Sequence, residues 1–219
     1  MSERFILPGT PQWFEARCGA FTASRAPALM RRTAKGAPTQ AYHDLIGEIA
    51  AERLTGVSAT HFVTTAMQRG LDLEPQAADA YALERMVGLG DSGLVIHPTL
   101  PRVAATPDRF VGDDGLLELK CPSVQTKHLD TLRGGPKSVL HEYRDQCLWQ
   151  LWCTGRQWCD LASYHPDFPS RHQLAVVRVE RDDERFAEFE AVIAEAEAAV
   201  AEILDALEAI TPAQREAAE

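Results

Sequence analysis

The sequence predicts a single domain of the α/β (α+β) class, with helices packed around a central mixed β-sheet. Three observations lead there. Apolar residues recur at helical spacing towards both ends of the chain, short β-biased segments separated by turn residues fill its middle, and no repeat, low-complexity segment or linker divides the two. At 219 residues, 45% hydrophobic and 25% charged, the chain can bury one sizeable core and is too short for two ordinary ones, so the expected domain runs over 1–219.

Pro11 suits a first helical position and opens a short helix through Gln12-Trp13-Phe14-Glu15-Ala16-Arg17. Thr22-Ala23-Ser24 offers caps for a second helix running to about Arg31. Gly36-Ala37-Pro38 breaks the chain. Leu45, Ile49 and Ala50 then mark one face of a helix from about Gln40 to Leu54, and a further helical pattern spans about His61 to Met86, with interruptions expected near Gly70 and Pro75. After Gly88 the character changes. Gly93–His97, Arg102–Thr106, Arg109–Val111 and Leu116–Lys120 read as strands of an antiparallel meander, with Gly112-Asp113-Asp114-Gly115 turning between the last two. A helix from about Ser138 to Cys153 and strands Trp158–Tyr164 and Leu174–Glu180 follow. Phe186, Phe189, Ile193, Ala196, Val200, Ile203 and Leu207 define a long amphipathic helix over about 182–210, and the tail from Thr211 is expected to fray.

The formal charge of -10 is unevenly placed: from Glu180 onward the chain carries 13 acidic and 3 basic residues, leaving 19 of each in residues 1–179. Between Glu15 and Asp44 lie Arg17, Arg25, Arg31, Arg32 and Lys35 without a single acid, a basic stretch suited to phosphates. On charge alone a solvated face reads the same. No apolar run reaches the roughly 18 residues of a membrane span, and Met1-Ser2-Glu3-Arg4-Phe5 lacks the apolar core of a signal peptide. A cytoplasmic protein without membrane contact is expected. The 5 cysteines, an odd number without a CxxC pair, fit reduced thiols better than a disulfide framework.

The chemistry concentrates in Thr106-Pro107-Asp108 and Leu116-Leu117-Glu118-Leu119-Lys120-Cys121-Pro122. Glu118 and Lys120 stand two apart on an otherwise apolar strand and share a face, and burying both costs several kcal/mol unless they pair or bind a metal. A three-residue turn, or a bulge, sets Asp108 opposite Glu118, whereas a two-residue turn sets it opposite Leu119; the former is expected. Two carboxylates beside a lysine make a hard, oxygen-rich site for Mg²⁺ or Mn²⁺. Such a cation polarises a phosphodiester and lowers the pKa of bound water, while Lys120 orients that water or holds the developing negative charge. The spacing is short, and a surface hairpin with an ordinary Glu-Lys pattern shares it.

Asp108 with Glu118-x-Lys120 is similar to the PD-(D/E)xK nuclease signature, and the surrounding residues resemble the phage lambda exonuclease family of YqaJ-type viral recombinases. The resemblance rests on Gln12-Trp13-Phe14-Glu15-Ala16-Arg17-Cys18-Gly19 with Thr22-Ala23-Ser24; Gly70 with Glu74; Thr106-Pro107-Asp108 with Leu117-Glu118-Leu119-Lys120-Cys121-Pro122; and Tyr143-Arg144-Asp145-Gln146 leading to Trp152-Cys153-Thr154. These blocks span about residues 12 to 165, and the acidic helix after Glu180 has a family counterpart. The resemblance implies a restriction-endonuclease-like core and a Mg²⁺-dependent 5′–3′ exonuclease. The enzyme would digest linear double-stranded DNA, release mononucleotides and leave a 3′ single strand for annealing recombination.

The resemblance further implies that Asp108, Glu118 and the backbone carbonyl of Leu119 bind Mg²⁺, with Mn²⁺ substituting and two ions per site, and that Lys120 activates water. Glu74 matches an acid of the metal and water network, and Gln146 a glutamine of the same site; without the match they read as a solvated helix acid and a surface amide. Arg17 and Ser24 match residues that hold the 5′-terminal phosphate, a task suited to a forked guanidinium beside helix N-terminal amides. From the basic stretch, Arg25, Arg32 and Lys35 are further candidate DNA contacts. Arg109 departs from the family's small residue after the aspartate, and either touches the scissile strand or points outward. Met67 stands where the family can set an apolar wedge against the terminal base pair, and otherwise reads as a core methionine.

A ring-shaped homotrimer enclosing DNA, a single-strand annealing partner and a bacterial, phage or prophage source are implied as well. A ring would line its channel with basic residues and turn the acidic helices outward. Two other readings compete. A Cas4-like iron–sulfur nuclease is prompted by Cys18, Cys147, Cys153 and Cys159, although their spacing argues against it. A DNA-end-binding or scaffold protein with a decayed site is opposed by intact Asp108, Glu118 and Lys120.

Overall fold

Pro107 divides the β-rich middle of the chain between two sheets. In the computed structural model, which describes residues 6–58 and 64–210, β1 (Phe21–Thr22), β3 (Val95–Ile96) and β4 (Val103–Ala105) form a sheet of order β1-β4-β3. The larger sheet contains β2 (Leu89–Asp91), β5 (Arg109–Val111), β6 (Gly115–Lys120), β7 (Trp158–Tyr164) and β8 (Leu174–Glu180), in the order β2-β5-β6-β7-β8. The expected single meander does not form, because β4 and β5 pair in different sheets. A proline has no N–H to continue a ladder, and the chain changes sheet at Thr106-Pro107-Asp108. The five-stranded sheet is mixed: β6 and β7 run parallel and the other neighbours antiparallel.

Thr10 caps α1 (Pro11–Arg17), its hydroxyl accepting the Trp13 N–H at 3.3 Å. The second expected helix is a 3₁₀ turn, Ala23–Arg25, followed by the short α2 (Ala26–Met30). After α3 (Gln40–Thr55) comes α4 (Thr65–Arg85), which continues through both Gly70 and Pro75, against the expected interruptions. Pro75 lies on the exposed side of α4, where water can reach the carbonyl that its missing N–H leaves unpaired. The start expected near His61 and the tail from Thr211 lie outside the described residues. α5 (Gln125–Arg133) has no apolar periodicity to announce it. Its inward side chains are polar: His128, fully buried, bonds Ser163 Oγ and the His172 carbonyl, each at 2.8 Å. α6 (Val139–Thr154) and α7 (Asp183–Glu208) follow the apolar pattern.

β6 is buried on both faces. Leu117 and Leu119 meet Ala77, Ala78 and Tyr81 of α4, while Leu116 faces the main core built from α2, α3, α6 and α7. In that core Trp149 packs on Trp152 and Phe189 at centroid distances of 5.1 and 5.0 Å. The period of two along a strand then places Glu118 and Lys120 with Leu116, on the α6 side. α7 buries Phe186, Phe189, Ile193, Ala196 and Val200, whereas Ile203 and Leu207 stay partly exposed as its last turns run past the core.

Candidate active site

Gly112, at φ 55°, begins a three-residue connection to β6, and the resulting register pairs Arg109 with Leu117 and sets Asp108 opposite Glu118. Asp108 Oδ2 accepts the Leu119 N–H at 2.6 Å. Glu118, 2% exposed, takes donors on both oxygens: Lys120 Nζ and Gln146 Nε2 (2.6 Å) on Oε1, and Gln150 Nε2 (2.6 Å) on Oε2. The Lys120 ammonium also lies 4.4 Å from the centre of the Tyr143 ring. Asp108, Leu119, Lys120 and Tyr143 border a cleft of about 480 Å³ whose walls also include Met67, Gly70 and Glu74, and Glu118 is buried behind Lys120.

Burial and the negative charge of Glu118 hold the Asp108 carboxyl well above its usual range; Glu74 adds to this, while Lys120 and the Leu119 N–H oppose it. Burial alone would lower the Lys120 pKa, but Glu118 and Asp108 outweigh it and hold the lysine above its usual value. A carboxylate crowded by like charges is a place where a divalent cation can stand in for the proton. The available donors are hard oxygens: two carboxylates and the Leu119 carbonyl. Among the described residues no three acidic, histidine or cysteine side chains gather into a closed cage. Mg²⁺ does not need one, because it keeps several waters and is held by one or two carboxylates plus substrate phosphate. The residues fit such an ion.

Arg17 closes α1, its guanidinium stacked 4.2 Å from the centre of the Trp13 ring, and among the described residues it forms no ion pair. Burial and the neighbouring Arg25 push its pKa down to about 10, against the pull of Glu52. A half-buried guanidinium without a counter-ion is a ready anion site. The Trp13 Nε1–H donates to Thr106 Oγ1 at 3.1 Å, so one indole ties Arg17 to the loop that carries Asp108. Ser24 is exposed on the 3₁₀ turn, its hydroxyl 3.2 Å from that of Thr22.

The basic stretch does not act as one patch. Arg25 donates to Glu48 at 2.5 Å, to Glu52 at 2.8 Å and to the Ala20 carbonyl at 2.8 Å, and Arg32 to the Leu29 carbonyl at 2.5 Å and to Glu195 at 3.2 Å. Both are engaged internally, against the expectation that they meet DNA, whereas Arg31 and Lys35 are exposed. Arg109 does not point outward: it bridges Glu74 at 2.9 Å and the Asp108 carbonyl at 2.5 Å. Met67 is no core residue. It is 54% exposed at the cleft mouth, beside Leu71 and Val124. Nor do the four cysteines converge: Cys147 and Cys159 are neighbours in the core, but Cys18 Sγ lies apart, 3.5 Å from the Glu52 carbonyl. Among the described residues they form no site for an iron–sulfur cluster.

Two residues absent from the sequence reading left readable signals. Gln150 is a lone amide in the apolar run Cys147–Cys153, one helical turn after Gln146. Glu52, 1% exposed, follows Ile49 on the buried stripe of α3, where an acid is out of place. Its Oε2 accepts the Gly19 N–H at 2.8 Å while Arg53 Nε donates to the Gly19 carbonyl at 2.9 Å, so α3 clamps the turn after Arg17. Gly19 takes φ 67°, and a Cβ there would meet Arg53 Cγ at 2.5 Å. Because Glu52→Ala leaves the buried Gly19 N–H without its acceptor and Arg25 with Glu48 as its remaining carboxylate, it should cost about 2–3 kcal/mol in urea unfolding. A loss under about 1 kcal/mol would show that water replaces the carboxylate.

The YqaJ-like viral recombinase domain is recognised over residues 12–157. No curated protein matches the chain. Among solved structures, the alkaline exonuclease LHK-Exo of Laribacter hongkongensis is 38% identical, with a TM-score of 0.79 over 95% of this chain and 98% of that one. Its complex with dAMP gives a TM-score of 0.80 at the same identity and coverage. A phage-related exonuclease of Haemophilus somnus, 14% identical, shares the fold with a TM-score of 0.74 over 86% of this chain and 96% of that one. The recognised segment contains α1 with Arg17, the loop with Asp108, the β6 residues Glu118 and Lys120, and Gln146 on α6; the chain belongs to the YqaJ-like viral recombinase family.

Proposed function

We propose that the protein is a Mg²⁺-dependent exonuclease that enters linear double-stranded DNA at an end, digests the strand with the 5′ terminus and releases mononucleotides. The observation that carries this reading is the meeting of Asp108 and Lys120 at one cleft, with Glu118 paired to Lys120 behind it, joined through Thr106 and Trp13 to the Arg17 guanidinium, which forms no ion pair among the described residues. LHK-Exo, an alkaline exonuclease solved with the mononucleotide dAMP, supports a nuclease acting on DNA.

Asp108, Glu118 and the Leu119 carbonyl would hold Mg²⁺, which supplies Lewis acidity to the phosphodiester. Lys120 orients the attacking water and faces the negative charge that develops. Gln146 and Gln150 keep the Glu118 carboxylate in place, and Glu74 borders the cleft from α4. Arg17, with Ser24 nearby on the 3₁₀ turn, takes the terminal phosphate, and exposed Met67 meets the last base pair at the cleft mouth. The 3′ strand left behind is the substrate of a single-strand annealing protein. No helix among the described residues is long and apolar enough to cross a membrane.

The direct test incubates the protein with linear and closed-circular duplex, with Mg²⁺ or with chelator. Release of nucleotides only from the linear form, and only with Mg²⁺, is expected; binding to ends without release would point to a scaffold. Assembly is a separate expectation. A homotrimeric ring would retain DNA despite the net charge of -10. Light scattering should report three chains per particle at micromolar concentration, and a monomer with full processive activity would rule the ring out.

A further inference from the structure

Gln150 is fully buried in the apolar run of α6, where both ends of an amide need partners. Its Nε2 donates to Glu118 Oε2 at 2.6 Å, and its Oε1 lies 3.8 Å from Cys159 Sγ, which donates to it. The opposite orientation would press an amide oxygen against a carboxylate oxygen, so the charge on Glu118 dictates which way the amide faces. The grip on Glu118 is therefore asymmetric. Oε2 is turned towards the interior and Gln150, while Oε1 meets Lys120, which lines the cleft, and Gln146, both of them half-buried.

We propose that Gln150 is a positioning residue that sets metal selectivity: by holding Oε2 inside the protein it leaves Oε1, now held by Lys120 and Gln146, as the one Glu118 oxygen able to turn to a cation, and so favours a small octahedral cation over Ca²⁺. The inference rests on the reading of Asp108 and Glu118 as cation ligands. Ca²⁺ takes more oxygen ligands in flexible arrangements, often both oxygens of one carboxylate, whereas Mg²⁺ demands few ligands in near-ideal octahedral geometry. A carboxylate limited to one oxygen suits the smaller ion. Without the amide, Oε2 is free to turn outwards and the second oxygen becomes available. Cys159 acts one step further back, through the orientation of the amide.

Calorimetric titration of the full chain with MnCl₂ and with CaCl₂, in the absence of DNA, tests this in the wild type, Gln150→Met and Cys159→Ala. Methionine keeps the volume and removes both amide groups, and thermal melts without metal establish that each variant is folded. The wild type should prefer Mn²⁺. Gln150→Met should narrow the ratio of the two dissociation constants by about tenfold, chiefly by tightening Ca²⁺, and Cys159→Ala by about threefold. An unchanged ratio in folded Gln150→Met overturns the inference, as does an equal weakening of both ions, which is what mere loosening of the core would produce. Should Gln150→Met fail to fold, Cys159→Ala decides in the same way. A wild type that binds neither ion would overturn the metal reading together with this inference, whereas normal wild-type binding with an unchanged ratio overturns the inference alone.

Discussion

Lys120→Ala should lower nucleotide release by at least about a thousandfold while leaving Mn²⁺ and DNA binding in place. An ammonium has three donors and no acceptor, so Lys120 cannot be a metal ligand, and its removal leaves Glu118 held by Gln146 and Gln150. What disappears is the cation that faces the water and the developing charge. Asp108→Ala acts on a different term. It removes one of the two carboxylates, together with the acceptor of the Leu119 N–H, and should abolish Mn²⁺ binding along with cleavage. Calorimetric Mn²⁺ titration of both variants, beside a nucleotide-release assay, separates the two roles. Normal Mn²⁺ affinity in Asp108→Ala would defeat the assignment, and so would loss of it in Lys120→Ala.

Arg17→Ala should slow digestion of 5′-phosphorylated duplex by about tenfold to a hundredfold and leave the slower rate on 5′-hydroxyl duplex nearly unchanged. A terminal phosphate carries more charge than an internal diester and accepts two guanidinium hydrogen bonds, a contact of about 1.5 to 3 kcal/mol. Arg17 is free to make it: its guanidinium is stacked on Trp13, has no carboxylate partner among the described residues, and is lowered in pKa by burial and by Arg25. An incoming phosphate would relieve that unfavourable environment. Rates on the two substrates, measured side by side, give the ratio that matters. Equal losses on both would mean that Arg17 supports folding or general DNA binding. Arg25 and Arg109 are poor substitutes as anchors, since each already pairs with a glutamate.

Much of the site was readable because its determinants are local. The period of two put Glu118 and Lys120 on one face of a strand, and a turn of three residues was enough to bring Asp108 opposite Glu118. The long C-terminal helix, the helix start at Pro11 and the helix carrying Gln146 follow from apolar spacing and the fixed proline backbone in the same way. Helix α5 escaped because the side chains it buries are His128 and Thr131, which a search for apolar periodicity passes over. The single meander does not form because period and length describe each strand but not its partner; Pro107 ends the ladder, and β4 and β5 lie in different sheets.

Local pattern alone therefore specifies the long elements of apolar period and the residue types that carry the chemistry, but not α5 or the 3₁₀ turn before α2. Pairing across long stretches of chain came only with the tertiary structure. The basic stretch is uniform in sequence, but Arg32 pairs with Glu195, 163 residues away, and Arg25 with Glu52 on α3, which leaves Arg17 as the half-buried arginine of that stretch without an ion pair among the described residues. Gln150 likewise acquired a purpose only when β6 brought Glu118 beneath α6. Hydrogen bonds and ion pairs are decided by which donors and acceptors burial brings within about 3 Å of each other, and that proximity is a property of the packed chain rather than of any segment of it.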